Sequence, residues 1–294
     1  MLSVIICCRK PKLDLEFIQN IDATIGCAYE IITVDNSTNK HSIFSAYNKG
    51  ASQAVFDVLC FVHDDVFFRT NGWGNILAQT VADAIVGVVG VAGAKVKTKN
   101  PSPWWIANEY HSAELLKYNI KQKRGGHMVH DVNPSSNPQY SEVLVLDGVL
   151  LCCRQSVWEQ TKFDETSYAG FHFYDLDFSL SVWKRGFKNY VNFEILLEHN
   201  SAGKIDKSWL KASDIFHRKW AHILPVSLSP LDKKTLNEIE YQASSNYLKQ
   251  LIKNKSSFPV LLKMWSQVFS YKVPGKDHWR LFLSIIKLGF INSK

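Results

Sequence analysis

The chain has no Cys-x-x-Cys pair, no internal repeat, no low-complexity segment and no apolar run long enough to cross a bilayer. Its six cysteines stand as Cys7-Cys8, Cys27, Cys60 and Cys152-Cys153. Neighbours in a strand-like run point to opposite faces, which is wrong for a zinc or redox pair. They read as buried apolar thiols, and a chain that does not lean on disulfides suits a reducing cytoplasm. The longest apolar run, Ala84–Ala94, is too short for a spanning helix and fits the core of a sheet. Met1–Cys8 carries no charged leader and runs into Arg9-Lys10-Pro11, so it reads as a first strand and not a signal peptide. Gly-x-Gly-x-x-Gly is missing after that strand, which all but excludes a dinucleotide-dependent oxidoreductase.

Acidic residues are scarce at one end. The formal net charge is +7, from 34 Lys+Arg against 27 Asp+Glu, but nine of the basic residues and a single acid, Asp277, lie between Lys249 and Lys294. Residues 1–248 therefore hold 25 basic and 26 acidic side chains, a net of −1. The high pI belongs to the tail, and a nucleic-acid partner, which wants a basic face on the main domain, loses its support. With 294 residues, 46% of them hydrophobic, there is enough apolar matter for one large core or a domain plus an extension.

The first hundred residues alternate strand and helix. Leu2–Cys8, Glu30–Val34, Val58–Val62 and Gly87–Ala92 read as strands, and Leu13–Ile25, His41–Ala54 and Asn71–Val86 as helices. That alternation predicts an α/β fold, a mostly parallel sheet flanked by helices. Lys95–Tyr140, rich in Pro, Asn, Trp and Lys, reads as a long functional loop. Strands resume at Glu142–Leu146 and Val149–Cys153, followed by a helix over Tyr174–Arg185 and a strand over Tyr190–Leu197. Ser229-Pro230-Leu231-Asp232 has the cap, proline and acid of a helix start. The boundary falls near 225, dividing a catalytic unit, 1–225, from a helical C-terminal extension, 226–294.

Val58–Val62 leads straight into His63-Asp64-Asp65, which puts hard oxygen ligands at the carboxyl edge of a sheet, where open α/β folds bind their ligands. Such oxygens suit Mg2+ or Mn2+. Alone, the pair could equally cap a turn or helix. It is one of an ordered series, with Asp35-Asn36, Asp147-Gly148, the run Gly170–Asp177 and Glu198–Gly203. In this order the motifs resemble those of family 2 glycosyltransferases of the GT-A fold, in particular the bacterial family-2-like group, over about the first three quarters of the chain.

The resemblance implies roles. Asp35 would hold the nucleotide base or ribose, with Asn48 of Ala46-Tyr47-Asn48-Lys49-Gly50 nearby and Cys8 and Arg9 on the same donor side. His63-Asp64-Asp65 stands for the Asp-x-Asp-type motif, with Asp65 on a divalent metal (Mn2+ or Mg2+) and Asp64 nearer the ribose or sugar. Tyr174-Asp175 overlies the family's Glu-Asp motif and makes Asp175 the catalytic base, with Tyr174 where the usual residue is Glu; without the resemblance, Asp175 would be a first-turn acid on a helix dipole. Asp147 and Gly148 would line the donor-sugar and acceptor site, with His172 and Trp104 as acceptor-side rings. His199 would be a further metal ligand.

Together these imply an inverting transfer from a nucleotide sugar, with UDP favoured and GDP or dTDP admissible. The acceptor would be a glycan or a lipid-linked sugar of surface polysaccharide synthesis. A catalytically silent nucleotide-sugar binder or scaffold is the alternative, favoured only by Tyr174. In the tail, Trp265, Phe269, Tyr271, Trp279, Phe282 and Phe290 interleave with lysines, a composition suited to peripheral contact with an anionic bilayer at the inner face of the membrane.

Overall fold

The computed structural model describes residues 1–106, 109–134, 136–137, 139–201, 203–271 and 275–291, without the side chains of 109, 110, 277, 278 and 287–291. Ala202, Lys272, Lys294 and the side chains of Asp277, Lys287 and Phe290 therefore lie outside the described residues.

The amino-terminal half is built as the alternation predicts. Its elements are β1 (Leu2–Cys8), α1 (Leu15–Thr24), β2 (Tyr29–Asp35), α2 (Ile43–Ala51), β3 (Val58–Val62), β4 (Val66–Phe68), α3 (Trp73–Val81) and β5 (Val86–Gly90). All three helices are shorter than their apolar pattern. Ser42 caps α2, its Oγ accepting from Ser45 N–H at 3.1 Å, and Val86 belongs to β5. β1 runs parallel to both β2 and β3, with Cys8 opposite Asp35 and Ile6 opposite Val62. Three strand ends thus reach one edge together and deliver Arg9, Asp35 and His63-Asp64-Asp65 to it. Gly50 lets α2 lie against β1, because a Cβ there would run into Ile5.

The stretch predicted to be a loop is mostly regular structure. After β6 (Ala92–Ala94) and β7 (Val96–Lys97) come α4 (Glu109–Leu115), β8 (Leu116–Arg124) and β9 (His127–Asn133). β8 and β9 form a hairpin turned by Gly125 and Gly126, at φ 55° and 89°, the left-handed pair that a two-residue turn requires. The pattern hid this strand because Lys117 and Asn119 are buried in it. Asn119 is satisfied by donating to Phe193 O at 2.7 Å, and Lys117 by donating to Ala113 O at 2.6 Å.

Next come β10 (Tyr140–Val143), β11 (Val145–Leu146), β12 (Leu150–Arg154), α5 (Gln155–Thr161), α6 (Tyr174–Lys184), β13 (Lys188–Asn192) and β14 (Leu197–His199). The main sheet runs β10-β13-β5-β12-β3-β1-β2, and β12 sits antiparallel between β3 and β5. The strand expected over Tyr190–Leu197 divides. β13 joins the main sheet, whereas β14 joins a second sheet, β11-β6-β8-β14-β4, which brings His199 alongside Val66.

The C-terminal part comprises α7 (Lys207–Lys219), β15 (Val226–Ser227), α8 (Lys233–Lys253), α9 (Phe258–Val268) and α10 (Lys276–Ile291). Asp232, not Ser229, caps α8, accepting from Thr235 N–H at 2.9 Å. β15 pairs with β7, and buried Glu240 of α8 accepts from the N–H groups of Lys99 and Asn100. Leu248, Leu251, Leu261, Val268 and Ile285 join the main apolar cluster, and α9 and α10 pack on α8 and on each other. Among the described residues no helix is long and apolar enough to cross a membrane.

Candidate active site

His63, Asp65 and His199 offer three ligand atoms within 4.8 Å of one another. The first two follow β3, and the third closes β14. That strand is pinned by Glu198, whose carboxylate accepts from Arg69 at 2.5 Å and Lys121 at 3.2 Å. His63 Nδ1 lies 3.3 Å from His199 Nε2, and Asp65 Oδ1 lies 3.5 Å from the same nitrogen. Burial, then the charge of His199, pushes the His63 imidazolium down to about 4, against the pull of Asp147 and Asp65. The ring is therefore neutral at pH 7, as a ligand must be. Burial raises Asp65, but the hydrogen bond and charge of His199, with Ser201, outweigh it and hold the carboxyl well below the usual range. Two imidazoles and one carboxylate are a donor set that fits a divalent transition-metal ion.

Asp64 points elsewhere. Its Oδ2 accepts from Arg9 N–H at 2.9 Å and its Oδ1 from Arg9 Nε at 2.8 Å, while the same guanidinium reaches Asp65 Oδ2 at 3.1 Å. Arg9 is thus tied to both carboxylates. A cleft of about 820 Å³ opens here, lined by Cys8, Arg9, Lys10, Asp64, Asp65 and Asn200 among others. The Cys8 thiol itself is buried and pushed up to about 12, chiefly by that burial. Asp35 is exposed at the end of β2, accepts from Ser37 N–H at 2.9 Å and is lowered by that bond.

Asn48 does not face the cleft. Its amide donates to Phe163 O at 2.8 Å and accepts from Phe163 N–H and Trp158 Nε1. The Asn of α2 is spent clamping the segment after α5, which corrects its expected place near a nucleotide.

On the far side of His63, Asp147 and Asp175 form a second carboxylate pair. Trp104 Nε1 donates to Asp147 Oδ2 at 2.5 Å and Val149 N–H to Oδ1 at 2.8 Å. Trp104 is buried, so it clamps Asp147 and is no open ring face; the next residue, Trp105, is 49% exposed. Asp175, on the first turn of α6, accepts from Gly148 N–H at 3.0 Å and Leu176 N–H at 2.9 Å. Burial and then the neighbouring Asp147 raise its carboxyl to about 7, against those two N–H groups. It stays partly exposed. His172 faces Asp206 at 3.9 Å. Asp177, two residues on, is structural: Tyr168, Trp220 and Lys219 all donate to its buried carboxylate.

Three participants escaped sequence reasoning. Tyr174 Oη donates to Gly148 O at 2.8 Å and lies 2.6 Å from His63 Nε2. His63 belongs to the ligand cluster, whereas the sequence marked only the two aspartates beside it and His199. Phe171, 52% exposed, stands over His63 and Tyr174 with ring centroids 5.6 and 5.9 Å away. In the sequence its one legible mark is the aromatic run Phe171-His172-Phe173-Tyr174.

One sheet edge thus gathers a cluster of candidate metal ligands, a cleft lined by charged side chains of both signs and a carboxyl raised to about 7. The chain belongs to the glycosyltransferase-like family, whose sequence profile matches residues 3–219. It is similar to the streptomycin biosynthesis protein StrF of Streptomyces griseus, 24% identical over 227 residues, which cover 74% of this chain and 75% of that one. Among solved structures it is similar to GalNAc-T7 with UDP, GalNAc and Mn2+ (TM-score 0.49, 10% identity). That match covers 91% of this chain and 54% of the other, so this chain spans about half the length of GalNAc-T7. It is also similar to the mannosyltransferase PcManGT from Pyrobaculum calidifontis in complex with GDP-Man and Mn2+ (TM-score 0.48, 12% identity, 98% and 80% covered).

Proposed function

We propose that this chain is an inverting GT-A glycosyltransferase that moves a sugar from a nucleotide-sugar donor to a hydroxyl of a glycan or lipid-linked acceptor. The observation that carries this reading is Asp175, a carboxyl raised to about 7 beside Asp147 and across His63 from the donor-side cleft. A base is most effective when its pKa lies near the working pH. The acceptor oxygen attacks the anomeric carbon in line while Asp175 takes its proton, and the bond from that carbon to the diphosphate breaks, inverting the configuration. Arg9, held by Asp64 and Asp65, and Lys10, paired with Asp14 at 2.7 Å, line the cleft together with Lys12 as cations that a diphosphate can recruit, and exposed Asp35 stands at the donor edge for the base or ribose. Phe171 and Trp105 offer open rings on which an acceptor sugar can stack.

His63, Asp65 and His199 would hold the divalent cation, and when bound it supplies electrostatic stabilisation to the leaving diphosphate. Two imidazoles suit Mn2+ better than Mg2+, which prefers oxygen ligands. The test is release of nucleoside diphosphate from a panel of UDP-, GDP- and dTDP-sugars with Mn2+. Chelation is expected to abolish release, and Asp175→Asn to lower it by about 10²–10⁴-fold while donor-induced thermal stabilisation persists. Stabilisation by a donor without any turnover would identify a binding relative, and undiminished turnover in Asp175→Asn would remove the base assignment.

The exposed apolar side chains of the tail support a membrane-surface location for this activity. On α10, Trp279 and Leu283 lie one turn apart and are 52% and 59% exposed, with exposed Lys276 nearby; Phe258 and Val260 open α9 in the same state. Exposed aromatic and aliphatic side chains on a segment with nine basic residues and one acid suit an anionic bilayer surface, where a lipid-linked acceptor would be found.

A further inference from the structure

We propose that Tyr174 sets the tautomer of His63 and so aims its bare nitrogen at the cation cluster; this rests on the metal-dependent reading above. Tyr174 Oη lies 2.8 Å from Gly148 O and 2.6 Å from His63 Nε2. A carbonyl oxygen only accepts, so the one hydroxyl proton is spent on Gly148. The hydroxyl oxygen is left to accept, and His63 Nε2 must carry the ring's N–H. A neutral imidazole has one such proton, so Nδ1 is bare. Nδ1 is the nitrogen that faces His199 Nε2 at 3.3 Å.

The seat of that hydroxyl is built. Tyr174 is 3% exposed and its ring is held edge-on by Tyr47 and Phe44, with centroids 5.6 and 6.2 Å away. Gly148 completes the seat, because a Cβ there would collide with the Tyr174 hydroxyl. Tyr174 is thus a positioning residue, acting through His63 in the way that outer-shell partners orient metal-binding imidazoles.

Two measurements test this. In metal-free wild-type protein labelled with [15N]histidine, long-range ¹H–¹⁵N NMR, assigned with His63→Gln, is expected to show the proton on His63 Nε2; a proton on Nδ1 overturns the proposal. Mn2+ affinity, read by electron paramagnetic resonance, is expected to fall about 10–100-fold in Tyr174→Phe, which keeps the ring and loses the hydroxyl. Unchanged affinity in a Tyr174→Phe protein that melts like wild type would also overturn it. The NMR readout needs no variant of Tyr174, so it decides even if Tyr174→Phe does not fold. A wild-type protein that binds no Mn2+ would sink the metal-dependent reading instead, and the tautomer would still be decided separately.

Discussion

At the scale of single residues, the proposed mechanism makes Asp175 tie stability to activity. Burial and Asp147 lift its folded carboxyl to about 7, whereas in the unfolded chain it ionises near pH 4, about the ordinary aspartate value. The folded state therefore binds more protons between those values, and stability falls as pH rises from about 4 to 7. Activity runs the other way, because the base must be ionised: kcat/KM is expected to climb with pH and level off above about 7. A flat profile across that window would dissociate Asp175 from proton removal. Asp175→Asn, which cannot ionise, is expected to flatten the loss of Tm over the same range. The neighbouring Phe173 sits in left-handed backbone at φ 69°, a conformation costing about 1–3 kcal/mol. Its buried ring, packed on Trp209 and Phe216 with centroids 5.1 Å from each, holds it there and so fixes where α6 begins.

At the scale of elements, the site depends on how α6 is anchored from behind. Asp177 of α6 has a side chain 2% exposed, and Lys219 of α7 donates to it at 2.9 Å and to Asp164 at 2.7 Å. Lys219 is itself 31% exposed, and Tyr168 and Trp220 still donate to Asp177 without it. Its removal thus costs the low end of the roughly 3–5 kcal/mol of a fully buried pair. Lys219→Met is therefore expected to destabilise the fold by roughly 3 kcal/mol in denaturant melts; a change under about 0.5 kcal/mol, the size of an ordinary surface substitution, would show that the pair is idle. The β8–β9 hairpin is the element that the apolar pattern concealed. Lys117 and Asn119 look like solvent-facing residues, and only their hydrogen bonds to backbone carbonyls explain their place inside.

At the scale of the whole molecule, charge is divided. Residues 1–248 are nearly neutral, and the excess sits on the helices that end the chain. The protein is expected to sediment with phosphatidylglycerol vesicles and not with phosphatidylcholine, to be released by salt, and to lose binding in Trp279→Ser/Leu283→Ser. Equal binding to both lipids, or none to either, would remove the membrane surface from the picture.

The sequence by itself determined the α/β alternation, the strand-end carboxylates and the family, because periodicity and turn chemistry are local and because ordered motifs survive without geometry. It also marked Asp65, His199 and Asp175, whose residue types announce their chemistry. Only the tertiary structure decided what those residues do together. His63 meets His199 across 136 positions of sequence and Tyr174 across 111, and Asn48 is claimed by a segment 115 residues away. Such pairings depend on which strands become neighbours, and β14 leaves the main sheet to bring His199 to Asp65. No local pattern encodes that choice, since it is settled by the packing of two sheets against each other.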